Sequence, residues 1–118
     1  MILALILAAT PLIGTWTGDS ICTGVRAACR DERVVYHITE KDPRTVTIQM
    51  NKIVNGQEEE IGTSDFLVNA RATKLWWQFE RNGLTGLWSF TRSGKTMRGT
   101  LTIPPRGAVV RNVRVVKR

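Results

Sequence analysis

The sequence predicts an all-β fold: an eight-stranded antiparallel up-and-down barrel with one short disulfide-closed loop. Three observations carry this. Two-residue turn signals separate runs in which apolar residues alternate, no run holds a sustained helical period, and nearly every connection is short. Sequential hairpins favour a closed barrel over a sandwich, whose Greek-key crossings are longer. Closure also removes edge strands that would otherwise pair with other chains.

The elements follow in chain order. Residues 13–22 place Gly14, Trp16 and Gly18 on one face. Cys22 and Cys29 then bracket a polar loop. Residues 33–39 present Val34, Tyr36 and Ile38 on alternate positions, and Lys41-Asp42-Pro43-Arg44 turns the chain. Residues 45–54 present Val46, Ile48 and Met50 on the apolar face. Asn55-Gly56 suits a type I′ turn, whose central residues both need positive φ. It sets Lys52 against Glu59 and Met50 against Ile61. Carried on unchanged, the register leaves Phe66 on the polar face. A bulge near Gly62 restores it to Val46, since glycine suits bulges.

The last strands are residues 73–81, 84–92, 95–103 and 109–116. Folding about Asn82-Gly83 sets Phe79 opposite Gly86, Trp77 opposite Trp88, and Leu75 opposite Phe90. Folding about Ser93-Gly94 sets Phe90 opposite Met97, Trp88 opposite Gly99, and Gly86 opposite Leu101. All fall on one apolar face because side chains alternate along a strand. On the polar face the same register aligns Trp76, Ser89 and Arg98. Pro104-Pro105-Arg106-Gly107 ends the seventh strand, proline having no N–H for the ladder.

Residues 1–10 are expected to be a hydrophobic leader or the remnant of a secretory signal, and residues 11–118 one barrel domain. Residues 2–9 are aliphatic and uncharged, well short of the roughly 20 apolar residues of a spanning helix. No transmembrane span is expected in the mature chain. Cys22 and Cys29 are the only cysteines, and a disulfide between them suits an oxidising compartment. Their spacing fits neither a zinc site nor a C-x-x-C redox pair. A periplasmic or secreted location follows from the leader and the bridge together.

Seventeen basic against ten acidic residues give a net charge of +7, which favours an anionic envelope or protein partner. The arginines are scattered rather than interleaved with aromatics, which argues against nucleic acid. Nothing marks a catalytic centre. Glu58, Glu59 and Glu60 are consecutive, so the middle carboxylate points away from its neighbours, and the sole histidine, His37, faces outward. No metal or cofactor site is expected.

The opening Gly14-Thr15-Trp16, at the head of an eight-strand meander, resembles that of lipocalin-like (calycin) barrels. The resemblance implies that Trp16 closes the barrel bottom with Arg111 or Arg114 of the last strand packed over its ring. The same motif opens avidin-like barrels and small secreted inhibitors of bacterial metallopeptidases, which share an early disulfide and an exported location.

Two functional expectations result. The first is a small exported, non-catalytic protein that binds an apolar or aromatic ligand at the barrel mouth, lined by Tyr36, Trp77, Phe79, Trp88 and Phe90. The second is an envelope protein or peptidase inhibitor with a filled barrel, acting through loops or its N-terminal segment. Gly86 and Gly99 distinguish them: beside large rings they either hollow the wall or let the rings fold over and fill it. Trp76 with Arg98 is a candidate partner surface.

Overall fold

In the computed structural model, residues 9–103 and 107–118 are described; residues 1–8 of the expected leader and the Pro104-Pro105-Arg106 turn lie outside them. Eight strands form a closed antiparallel barrel in sequence order. They are β1 (Gly14–Cys22), β2 (Glu32–Asp42), β3 (Thr45–Val54), β4 (Gln57–Val68), β5 (Lys74–Arg81), β6 (Leu84–Ser93), β7 (Thr96–Ile103) and β8 (Ala108–Lys117). The barrel closes where β1 meets β8, from Trp16 opposite Lys117 to Cys22 opposite Arg111. No helix among the described residues is long and apolar enough to cross a membrane.

Both Asn-Gly turns behave as their chemistry requires, with φ of 53° at Asn55 and Asn82 and 78° and 77° at the following glycines. The β5–β6 register is the expected one: Leu75 pairs with Phe90, Trp77 with Trp88, and Phe79 with Gly86. Along β3 and β4, Lys52 pairs with Glu59 and Val46 with Phe66. Met50 pairs with Gly62 instead of Ile61, so Ile61 is the extra residue of the bulge.

The β6–β7 turn differs from expectation by one position. Ser93 pairs with Thr96, so the central residues are Gly94 and Lys95 rather than Ser93 and Gly94. Gly94 has φ 60°, as a type II′ turn demands of its first central residue. Partners therefore move by two residues: Trp88 faces Leu101, Phe90 faces Gly99, and Arg92 faces Met97. An even shift leaves every side chain on its original face. The apolar wall survives the correction, while individual pairs change.

Seven seams are continuous, and the one between β4 and β5 is not. There only Leu67–Trp76 and Val68–Leu75 pair. Above that rung β4 and β5 part, leaving their facing backbone edges without a ladder.

The core fills one end of the barrel. Trp16, Tyr36, Phe66, Phe90, Leu12, Ile38, Ile48, Leu75 and Met97 are essentially inaccessible to solvent. A 3-10 turn, Thr10–Leu12, caps this end. Leu12 supplies its apolar plug, and its carbonyl accepts a 2.8 Å hydrogen bond from Trp16 Nε1. That bond satisfies the one polar atom of a buried indole.

Candidate functional site

The resemblance to calycin barrels implied a cation from the last strand over Trp16. The residue in that place is Lys117, whose Nζ lies 6.0 Å from the ring centroid and 3.2 Å from the Pro11 carbonyl. Arg111 and Arg114 are elsewhere, for a reason of period and rise. Arg114 lies on the outward phase of β8 and is exposed. Arg111 shares the inward phase of Lys117 but sits six residues earlier, at the opposite end of the barrel.

There Arg111 organises the mouth. Its Nη1 donates to Ser20 Oγ at 2.9 Å, and its Nη2 donates to the carbonyl of Arg30 at 2.8 Å. Glu32 stands 3.6 Å from Nη1, with both side chains largely shielded from solvent. Arg111 thus ties the Cys22–Cys29 loop to the barrel rim. The disulfide itself is formed, with the two Cα atoms 6.0 Å apart. Thr23 adds a hydrogen bond from its Oγ1 to the Val109 carbonyl at 2.7 Å.

Between the packed end and this rim lies a cavity of about 270 Å3. Tyr36, Trp77, Phe79 and Trp88 line it, with Val34, Met50 and Leu101 completing the apolar wall. Ser20, Glu32, Arg81 and Arg111 provide its polar edge. Gly62 and Ser64 of β4 face Trp77 and Phe79 of β5 across the parted seam, so the cavity extends to the side of the barrel as well as its mouth.

Phe90, also expected to line a ligand site, lies beneath the cavity. It is fully buried and forms the floor on which the other rings rest. Trp88 stacks on it at 5.7 Å with an interplanar angle of 8°. Tyr36 meets it edge-on at 6.0 Å, and Phe66 lies tilted at 5.9 Å. Trp77 joins this floor through Phe66 at 5.9 Å, and Phe79 packs on Trp77 at 4.8 Å. Such pairs hold rings at set angles beyond what area burial alone would do.

The two glycines do not hollow the wall. Gly86 lies under Phe79, and Gly99 lies under Phe90 rather than Trp88, following the two-residue shift. Both rings fold over a missing side chain. The cavity arises instead where the small side chains of β4 face the parted strand β5.

On the outer wall Trp76 is 37 % exposed beside Leu67 at 51 %. Its rung continues through Ser89 to Thr100, not Arg98, which pairs with Thr91 and Arg114. The expected Trp76–Arg98 alignment is therefore broken by the Gly94-Lys95 turn.

The outer wall also holds a polar line that spacing alone does not reveal. Thr15 Oγ1 and His37 Nδ1 are 3.2 Å apart, and His37 Nε2 lies 2.7 Å from Glu58 Oε1. Asn51 Nδ2 donates to the same Glu58 oxygen at 2.8 Å. The Asn51 bond first, and His37 second, hold the Glu58 carboxyl below the usual carboxylate range. Hydroxyl, imidazole and carboxylate are in sequence, but they face away from the cavity and bind β1, β2 and β4 together. Among the described residues no cluster of His, Cys, Asp and Glu could hold a metal ion.

The fold is similar to that of solved β-barrels. A redesigned β-barrel superposes with a TM-score of 0.67 at 13 % identity, covering 97 % of both chains. A second redesigned barrel, mFAP1 bound to DFHBI, matches with TM-score 0.64 at 16 % identity over 96 % of this chain and 100 % of that one. A mutant of the fluorescent protein UnaG matches with TM-score 0.60 at 16 % identity over 93 % and 97 %. No family model matches the sequence, and no curated protein matches it.

Proposed function

We propose that this chain is an exported, non-catalytic barrel that holds a small aromatic ligand in the cavity bounded by Tyr36, Trp77, Phe79 and Trp88. The observation that carries this reading is the cavity itself, an aromatic box with a polar rim. Pockets of that composition, apolar walls with few convergent polar groups, are what small-molecule sites use. The ligand is small. An apolar cavity of roughly 150 Å3 takes benzene, so about 270 Å3 suits one or two fused rings.

Two further facts support it. A structurally similar barrel, mFAP1, holds DFHBI, which lends the fold a precedent for a bound small molecule. The Cys22–Cys29 bridge and the apolar residues 2–9 support export. The filled-barrel alternative, an inhibitor working through its loops, has less support because the upper half of this barrel is open.

The test is native mass spectrometry of the protein from its own envelope, followed by tryptophan-quenching titration of whatever small molecule co-purifies. A stoichiometric aromatic adduct whose affinity drops at least tenfold in Trp88→Ala upholds the reading. A protein adduct with an unquenched Trp77–Trp88 pair would falsify it.

A further inference from the structure

The Tyr36 hydroxyl is among the cavity's polar groups that have no side-chain partner among the described residues. Tyr36 is 2 % exposed and lines the cavity, yet its hydroxyl makes no hydrogen bond among the described residues. The other polar groups there are engaged or solvated. Ser20, Glu32 and Arg111 are committed to one another, while Ser64 and Arg81 retain access to solvent.

We propose that Tyr36 is the specificity-determining residue of this cavity, donating its hydroxyl to the carbonyl oxygen of a neutral aromatic ligand seated against Trp77, Phe79 and Trp88. This deepens the ligand-binding reading and rests on it. The ligand class follows from what surrounds the hydroxyl. Arg111 already faces Glu32, so a ligand carboxylate beside Tyr36 would meet the Glu32 carboxylate, while Arg81, unpaired among the described residues, stands exposed at the cavity's outer edge. Burial first, and then Glu32, hold the phenol protonated well above its ordinary range, with Arg111 opposing. It therefore stays a donor at any physiological pH, and an acceptor on the ligand is the complement.

The experiment compares two shape-matched probes, 2-acetylnaphthalene and 2-isopropenylnaphthalene, in which C=CH2 replaces C=O. Binding to the wild type and to Tyr36→Phe is measured by tryptophan quenching. The wild type should prefer the ketone by about three- to tenfold, the net value of one hydrogen bond, and Tyr36→Phe should bind both alike. The melting temperature of Tyr36→Phe should be unchanged or higher, since only an unpaired hydroxyl is lost.

Five outcomes count against the proposal, each differently. Equal binding of the probes by the wild type overturns the donor role alone. A ketone preference that persists in Tyr36→Phe assigns the contact to another group. A fall of several degrees in melting temperature makes the hydroxyl a structural one. Tighter binding of 2-naphthoate that survives in Tyr36→Phe transfers the polar contact to Arg81 or Arg111. Failure of every probe to bind removes the cavity reading itself, and this inference with it.

Discussion

Phe79 lies across Gly86, its directly paired neighbour, so closely that a Cβ on the glycine would stand 2.2 Å from Phe79 Cζ. The same arrangement recurs one strand further on, where a Cβ at Gly99 would stand 2.2 Å from Phe90 Cδ1. These two contacts decide where the barrel is filled, because each ring occupies the space of an absent side chain.

Alanine at these glycines should therefore destabilise in a graded order. Phe79 sits at the half-buried rim and can swing aside, so Gly86→Ala should cost less than about 1 kcal/mol while altering the cavity. Phe90 is buried under Tyr36, Phe66 and Trp88, so Gly99→Ala should cost about 2 kcal/mol, within the usual range for overpacking. At Gly18 a Cβ would meet the backbone carbonyl oxygen of Arg114 at 1.9 Å. Backbone cannot yield as a ring can, so Gly18→Ala should reach about 3 kcal/mol or more by opening the β1–β8 closure. Urea denaturation of the three variants checks the order; equal costs would contradict it.

Lys117 should contribute to the closed end of the barrel where Arg111 and Arg114 do not. Its position over Trp16 and its bond to the Pro11 carbonyl predict a loss of about 1 kcal/mol in Lys117→Ala. Arg114→Ala, on the exposed outer wall, should stay within about 0.5 kcal/mol of the parent. Chemical denaturation with tryptophan emission as the signal distinguishes them.

Reduction of the Cys22–Cys29 bridge should loosen the mouth more than the core. The loop-entropy model assigns so short a bridge about 2–3 kcal/mol. Because Arg111 grips the loop through the Arg30 carbonyl, hydrogen exchange should quicken in the loop and around Ser20. The Trp16 end should exchange as before.

The chain has a single tyrosine, so tyrosinate absorbance reports on Tyr36 alone. Its folded-state pKa is raised above the ordinary 10.0. Below that value both folded and unfolded chains keep the proton, and its contribution to stability is complete. As pH rises further the unfolded chain ionises first, and stability is lost progressively until the folded phenol itself titrates. The native protein should show no tyrosinate at pH values where the urea-unfolded protein does. Tyr36→Phe should flatten the alkaline limb of the stability profile; an unchanged limb would assign it to other groups.

The parted β4–β5 seam should be the first place where backbone exchange occurs. Only its lowest rungs pair, so amides of residues 57–66 that point towards β5 should exchange sooner than those bonded to β3. Native-state exchange read by NMR separates the two sets.

Much of the barrel was legible because its turns are chemically explicit. Asn55-Gly56 and Asn82-Gly83 each require positive φ at both central positions, which fixes strand register to the residue. The displaced Phe66 pointed to a bulge beside Gly62 for the same reason, since one slip would have put a large ring in water. Ser93-Gly94 was less explicit. Glycine can take either central position of a two-residue turn, and only the paired strands show that it takes the first. The error moved partners but not faces, because the shift was even.

The candidate site was legible as a set of inward rings, and less so as a shape. Alternation put Tyr36, Trp77, Phe79, Trp88 and Phe90 on one wall, but gave no depth along the barrel axis. Phe90 proved to be floor and the other four lining. Arg111 and Lys117 share a phase on β8, so periodicity alone could not say which end each occupies. The contacts of Thr15, His37 and Glu58 join three strands and carry no local signature.

By itself the sequence determined the number of strands, their order and the inward face of each, since these depend on turn chemistry and two-residue alternation. Only the tertiary structure decided which residues meet across the closed barrel. Closure brings β8 onto β1, sets Lys117 over Trp16 and Arg111 beside Glu32, and leaves β4 and β5 apart over a cavity. Those relations depend on shear and ring packing around the whole circumference, which no local pattern encodes.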